Sequence, residues 1–342
     1  MSIKILGLES SCDDSAAAVV DSRTGILSNI VISQDQEHKL FKGVVPEIAA
    51  RSHLSNLEMA FEKCMQEASL ALSDIDAIAA TSGPGLIGGV IVGAMFGKAL
   101  ASVSGKPFIA VNHLEGHALV ARLTDGVAFP YLLLLASGGH CQFVAVQGLG
   151  RYKILGKTLD DAMGEAFDKV AKMMNLGFPG GPVVEKMARS GDASRFDFPR
   201  PLCNQKNSDM SFSGLKTAVR LKIAGLGQLS QQDMCDIAAG FQSAVCDVIV
   251  KKTKYAITQY ETMCNGRNIV VSGGVAANMQ VRSALGTLAS SLGYNFVAPP
   301  IKLCTDNAAM IAFAGLERFK MGIVDGMDFR PRARWSLEEM HN

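Results

Sequence analysis

The chain has 342 residues, 48% hydrophobic and 19% charged, with 33 Lys+Arg against 32 Asp+Glu for a formal charge of +1. So much apolar residue excludes a disordered chain, and so even a balance excludes a polycationic nucleic-acid coat, though not a local basic patch. At ~150 residues per domain the length predicts about two domains.

The first segment, IKILGLESSCDDSAAAVVD, reads as a buried strand, a polar turn and a return strand, with Glu9 on the first strand and Asp13 and Asp14 at the tip. An acid beside a buried strand needs a partner or a role, which singles out Glu9 and Asp13. Residues 75–81 read as a strand running into Ser82-Gly83-Pro84-Gly85, then an apolar helix with glycine at 88, 89, 93 and 97. Gly83 to Gly88 spells GxGxxG, but no acid follows until Glu115, so the dinucleotide pattern is incomplete. The small-residue face of that helix suits either a pairing surface or internal packing. Then PFIAV reads as a strand ending at His113-Leu114-Glu115-Gly116-His117.

YLLLLASGGHCQFVAVQ repeats the opening hairpin, with Ser137-Gly138-Gly139 at its tip. Acids recur at Asp160-Asp161 and at Glu165 and Asp168, residues 191–210 are turn-rich and read as a long surface loop, and residues 229–260 read as one amphipathic helix capped by Ser230 with Asp233. Residues 268–271 form a strand before Ser272-Gly273-Gly274 and a helix reaching Leu285, and a last helix starts near Thr305. The pattern predicts two α/β lobes, residues 1–128 and 129–304, with residues 305–342 packing back on the first.

His113 and His117, at i and i+4, share one helical face and can bind one metal. At ~100° per residue Glu115 points to the opposite face, unlike the glutamate of HExxH, so a protease reading is weak. Asp306 reads as a helix cap or as a third ligand; two imidazoles and a carboxylate with open positions suit Fe(II) or Zn(II). The glycine turns read as plain turns or as main-chain phosphate cradles. Arg318, Lys320, Arg330, Arg332 and Arg334 crowd the C-terminal end, as a solvated face or an RNA-backbone patch. No two of the eight cysteines lie closer than eleven residues, so no CxxC site exists and buried reduced thiols are expected. The opening residues resemble neither a signal nor a transit peptide, and the uncharged run over residues 86–97 falls short of the ~18 residues of a membrane span. A cytoplasmic protein without membrane contact is the expectation.

In order, LGLESSCDDSAAAVV, GVVPEIAARSH, SGPGLIGGVIVGA, NHLEGH, LLLASGGH, GEAFDKVAK, FPGGP, FSGLKTAV, SGGVAAN and CTDNAAMIA resemble the tRNA threonylcarbamoyladenosine synthase family, bacterial TsaD type. The resemblance implies a duplicated actin/sugar-kinase-like (ASKHA) fold with a nucleotide cleft between two lobes. It implies transfer of threonylcarbamoyl from threonylcarbamoyl-AMP to the exocyclic amine of the adenosine at tRNA position 37, with release of AMP. His113, His117 and Asp306 would then bind one divalent metal per subunit, Fe(II) first and Zn(II) second. Leu135, Ala136, Ser137, Gly138 and Gly139 would line the phosphate and acyl group, and Asp168, Gly181 and Asn278 the nucleoside. Asp13, at the facing hairpin tip, is the candidate for orienting or deprotonating the amine. Implied partners are tRNA, a TsaB-like paralogue and a TsaE-like ATPase. The family usually has Thr where Cys141 stands. An ASKHA-fold phosphotransferase and a non-catalytic ATP-binding scaffold are the competing readings; neither needs the histidine pair.

Overall fold

The computed structural model describes residues 2–39, 41 and 43–340. Its first stretch holds β1 (Lys4–Glu9), β2 (Ser15–Asp21), β3 (Gly25–Ile32), α1 (Asp35–Lys39), α2 (Pro46–Ala68), β4 (Ala77–Gly83), α3 (Ile87–Ser104), β5 (Phe108–Asn112) and α4 (His113–Asp125). The second holds β6 (Tyr131–Ala136), β7 (Cys141–Gly148), β8 (Arg151–Lys157), α5 (Met163–Met173), α6 (Gly180–Ala188), α7 (Ser213–Leu226), α8 (Gln231–Glu261), β9 (Asn268–Ser272), α9 (Met279–Ser291) and β10 (Asn295–Val297), before α10 (Ala308–Lys320).

The two sheets are copies in topology. One is ordered β3-β2-β1-β4-β5 and the other β8-β7-β6-β9-β10. β1 pairs antiparallel with β2 (Glu9 opposite Ala16) and parallel with β4, as β6 does with β7 (Ala136 opposite Cys141) and with β9. Each repeat thus presents a tight hairpin tip beside a parallel strand end, the same pair of backbone features twice. By contacts the chain forms two compact units, residues 1–126, 149–151 and 306–342 in one, and 127–148 with 152–305 in the other.

The first sheet is covered on one face by α2 and α3, where Leu6, Leu8, Ala60, Cys64 and Ala101 share a core. On its other face α10 lies so close that a Cβ at Gly7 would sit 2.5 Å from the Ala308 carbonyl oxygen. Alternation along β1 sends Leu6 and Leu8 one way and Gly7 the other. The second unit packs β6 and β7 against α5, α8 and α9, with Phe167, Phe241 and Tyr260 among the largest buried side chains. The Ser230 hydroxyl accepts from Asp233 N, and Asp233 answers with a bond from Ser230 N, which starts α8 where the capping pattern predicts. All eight cysteines are free.

One open choice closes and two expectations change. The glycines of α3 face inward: a Cβ at Gly93 would lie 2.0 Å from Ser10 Oγ and one at Gly97 2.9 Å from Ala80 Cβ. They serve internal packing, and the side left outside is the apolar row Ile87, Ile91 and Met95. The helix also runs past Lys98 to 18 residues of mean hydropathy 1.6, apolar and long enough by those measures to cross a membrane. Its glycine face is nonetheless core, and the buried Lys98 donates to the Phe329 carbonyl. Finally, the helix after β9 begins at Met279 rather than at the glycines, because Gly274–Ala277 forms a separate 3-10 turn and Asn278 is the cap.

Candidate functional site

α4 starts where β5 ends because Asn112 Oδ1 accepts from Leu114 N at 2.9 Å and Glu115 N at 3.4 Å. His113 is therefore the first helical residue, and His117 sits one turn on with the ring centroids 4.7 Å apart. Both rings are buried. Asp306 arrives on the segment leading into α10, whose cap is not Asp306 but Asn307, its Oδ1 accepting from Met310 N at 3.0 Å. With the cap supplied by its neighbour, the Asp306 carboxylate turns to the histidines. Its Oδ1 lies 3.5 Å from His113 Nε2 and 3.1 Å from His117 Nε2.

The three residues offer donor atoms within 4.8 Å of one another, and all belong to the first unit. His113 Nδ1 donates to Glu9 Oε2 at 3.0 Å, leaving Nε2 for a ligand. Glu9 is fully buried and saturated: Ser11 N donates to Oε1 at 2.6 Å and Thr81 Oγ1 to Oε2 at 2.5 Å. A carboxylate behind the outer nitrogen is the arrangement that orients a metal-binding imidazole and raises its basicity. Burial opposes charge on His113, but Glu9 and Asp306 outweigh it and push its pKa up to about 9. Burial likewise works against the Glu9 carboxylate, and His113 reverses that and holds it below the ordinary value. The donor set fits one divalent metal.

Glu115 does lie on the far face, where its Oε2 accepts from Arg318 Nε at 2.6 Å in a buried pair. It holds α10 to α4 and points away from the histidine face, unlike the glutamate of HExxH. Asp13 and Asp14 stand at the β1–β2 tip. Burial raises the pKa of Asp13, with the Asp306 charge adding to it, and burial with Asp306 and Asp13 lifts Asp14 to about 8.

In the second unit a cavity of about 230 Å³ is lined by Gly138, Gly164, Phe167, Asp168, Gly181, Glu185, Gly274, Asn278 and Thr305, among others. Of the eight residues expected around a nucleotide, Gly138, Asp168, Gly181 and Asn278 are on this wall. Asp168 Oδ1 accepts from Gly180 N at 2.7 Å at the start of α6. Asn278 Oδ1 caps α9 through Gln280 N and Val281 N, and its Nδ2 donates to Gln242 Oε1 at 2.7 Å. Gly138, Gly181 and Gly274 have open space where a side chain would be. Leu135 and Ala136 are interior strand residues, and Gly139 is not on this wall. Ser137 is absent from it too, and its N–H, expected to serve a phosphate, instead donates to the His140 carbonyl at 2.7 Å, closing the turn. Cys141 is buried in β7, where burial pushes its thiol up to about 12.

Sequence reasoning missed Thr81 and Ser11 around Glu9, and Gly164 and Thr305 on the cavity. None carries a local signal: a hydroxyl or glycine becomes legible only when the strand pairing that brings it there is known.

Together these features define a class of protein, one with a duplicated ASKHA α/β fold that carries an imidazole–carboxylate centre in one unit and a glycine-lined cavity in the other. Solved structures share that fold: an activator of 2-hydroxyisocaproyl-CoA dehydratase from Clostridium difficile (16% identity, 96% of this chain and 100% of that one, TM-score 0.53) and HypF from T. kodakarensis (13%, 94% and 48%, TM-score 0.61). The family model of TsaD, tRNA N6-adenosine threonylcarbamoyltransferase, matches residues 25–313. Proteins so named from Rickettsia rickettsii (strain Sheila Smith) and Rickettsia bellii (strain OSU 85-389) are 59% and 60% identical to this chain. The alignments cover 99% and 98% of it, and 100% and 99% of the relatives. The chain belongs to the tRNA N6-adenosine threonylcarbamoyltransferase family.

Proposed function

We infer that this chain transfers a threonylcarbamoyl group from threonylcarbamoyl-AMP to the exocyclic amine of the adenosine at tRNA position 37. The observation that carries this is end-to-end identity near 60% with relatives bearing that name. The amine nitrogen forms a bond to the carbamoyl carbonyl carbon, the bond from that carbon to the phosphate oxygen breaks, AMP departs with the electron pair, and the nitrogen loses a proton. An adenine amine is a poor nucleophile because its lone pair is delocalised into the ring. The donor is already an activated mixed anhydride, so the enzyme's task is positioning and charge stabilisation.

His113, His117 and Asp306 would hold one divalent metal, Fe(II) first and Zn(II) second, which supplies Lewis acidity toward a phosphate or carbonyl oxygen. Glu9 fixes the His113 ring. The cavity lined by Gly138, Asp168, Gly181 and Asn278 would take the adenylate, with small residues admitting it close to the main chain and Asp168 able to accept from a ribose hydroxyl. Asp13 and its neighbour Asp14 are the candidates for orienting the amine and taking its proton. A TsaB-like paralogue and a TsaE-like ATPase are the proposed partners in the cytoplasm. The exposed apolar row of α3 supports a protein partner of the first kind. A phosphotransferase or a nucleotide-binding scaffold is not favoured, since neither uses the histidine pair.

The test is incubation with threonylcarbamoyl-AMP and unmodified tRNA, with and without chelator. Modified adenosine should form, disappear on chelation and return on adding Fe(II) or Zn(II). Adenylate binding with no transfer under any metal would overturn the reading in favour of a scaffold.

A further inference from the structure

Five basic residues crowd positions 318–334, and the fold sorts them. Arg318 is buried in its pair with Glu115, and Lys320 pairs with Glu317 at 3.3 Å. Arg330, Arg332 and Arg334 are exposed and make no ion pair among the described residues. Residues 328–335 set these three arginines against a single acid, Asp328. In a chain with a net charge of +1 this is a marked local concentration of positive charge.

The segment has no regular secondary structure, yet it is firmly pinned. Arg332 N donates to the Ser82 carbonyl at 2.8 Å, and Gly85 N to the Ala333 carbonyl at 3.2 Å. The approach is so close that a Cβ at Gly83 would lie 2.1 Å from the Arg332 carbonyl oxygen. Asn112 Nδ2 donates to the Trp335 carbonyl at 3.1 Å. Asn112 is also the cap that starts α4 at His113, so the basic segment ends against the residue that sets the metal-binding helix. Trp335 is buried, and the Arg332 guanidinium lies 5.1 Å from its ring centroid and 5.4 Å from that of Phe329, which limits its freedom. A solvated face needs no such anchoring. Planar guanidinium forks on a fixed backbone suit phosphate oxygens in two-pronged contacts.

Building on the transferase reading, we propose that Arg330, Arg332 and Arg334 form a strip that docks the tRNA phosphate backbone beside the histidine centre. The contacts position the substrate and carry no base selectivity.

The experiment measures binding of an unmodified tRNA transcript to the full chain by anisotropy across a salt series, for the native protein, R330Q/R332Q/R334Q, and R330Q/R334Q. The double variant spares the stacked Arg332, and thermal melts check both folds. The triple variant should bind on the order of tenfold more weakly or worse. Its slope of log affinity against log salt should fall by about 2, at ~0.7 per phosphate contact on a single strand. The double variant should lose about two thirds of that slope, and in turnover the loss should fall on KM for tRNA more than on kcat. Threonylcarbamoyl-AMP affinity, measured by calorimetry, should not move. An unchanged salt slope in a folded variant overturns the proposal, also where the same substitutions weaken binding of an acidic protein. Should the native chain bind tRNA in a salt-dependent way yet transfer nothing, the transferase reading fails while the strip stands.

Discussion

Asp306 faces His113 and His117 because Asn307 caps α10 in its place. Asp306→Ala should leave the fold intact and lower metal affinity by more than about 100-fold, since even outer partners of a ligand are worth 10–100-fold. Metal content after dialysis, read beside a thermal melt, checks both halves. Glu9→Gln keeps the shape of the side chain behind His113 and removes its charge. It should cost roughly 10–100-fold in metal affinity. Equal affinity in the native and Gln proteins would show that Glu9 does not orient the ligand. Glu9 could be suspected from its place on a buried strand, whereas Thr81, 72 residues away, could not be tied to it without the β1–β4 pairing.

At the scale of elements, close backbone approach places the centre. Gly7 lets α10 lie against β1, and a methyl there would meet the Ala308 carbonyl oxygen and the Ala312 nitrogen, both at 2.5 Å. Gly7→Ala should destabilise the protein by about 1–3 kcal/mol as an overpacking change and loosen metal binding by displacing the helix behind Asp306. Urea melts and metal titration measure the two effects. A second element invites a pH test. Asp160 accepts from Phe212 N and from the Ser211 and Ser213 hydroxyls at the start of α7. Burial works against this carboxylate, but those donors prevail and hold its pKa below 3.8. The stability it confers is therefore present above 3.8 and lost as pH falls through the lower folded-state value. Asp160→Asn should cost about 1 kcal/mol at neutral pH, discounted for exposure, and the gap from the native protein should close in acid. Denaturant midpoints across pH would show it.

At the scale of the molecule, the single tryptophan, Trp335, lies in the unit that holds the histidine centre. Its fluorescence therefore reports on that unit. Saturating divalent metal should raise the stability seen by this signal by about 2.7 kcal/mol at 100 times Kd, by mass action on the folded state. Asp306→Ala should abolish the increment. A metal-independent Trp335 transition in the native chain would mean that no ion binds the centre.

Periodicity and hairpin repetition sufficed for the duplicated α/β plan, because strand alternation and helical spacing are local properties of the chain. The pairing of His113 with His117 was equally open to reading, since one helical turn joins them. What only the tertiary structure decided depends on contacts between distant segments. The return of α10 to the first sheet brings Asp306 to His117, 189 positions earlier, and to His113 one turn before that. Ser10 occupies the space beside the α3 glycines and turns a candidate pairing face into core. The stitching of residues 332–335 to Ser82, Gly85 and Asn112 sets Arg330, Arg332 and Arg334, which make no ion pair among the described residues, apart from Arg318 and Lys320, which pair with Glu115 and Glu317. Spacing along a chain specifies neighbours within a turn or a strand; which carboxylate meets which imidazole is set by how the sheets are covered.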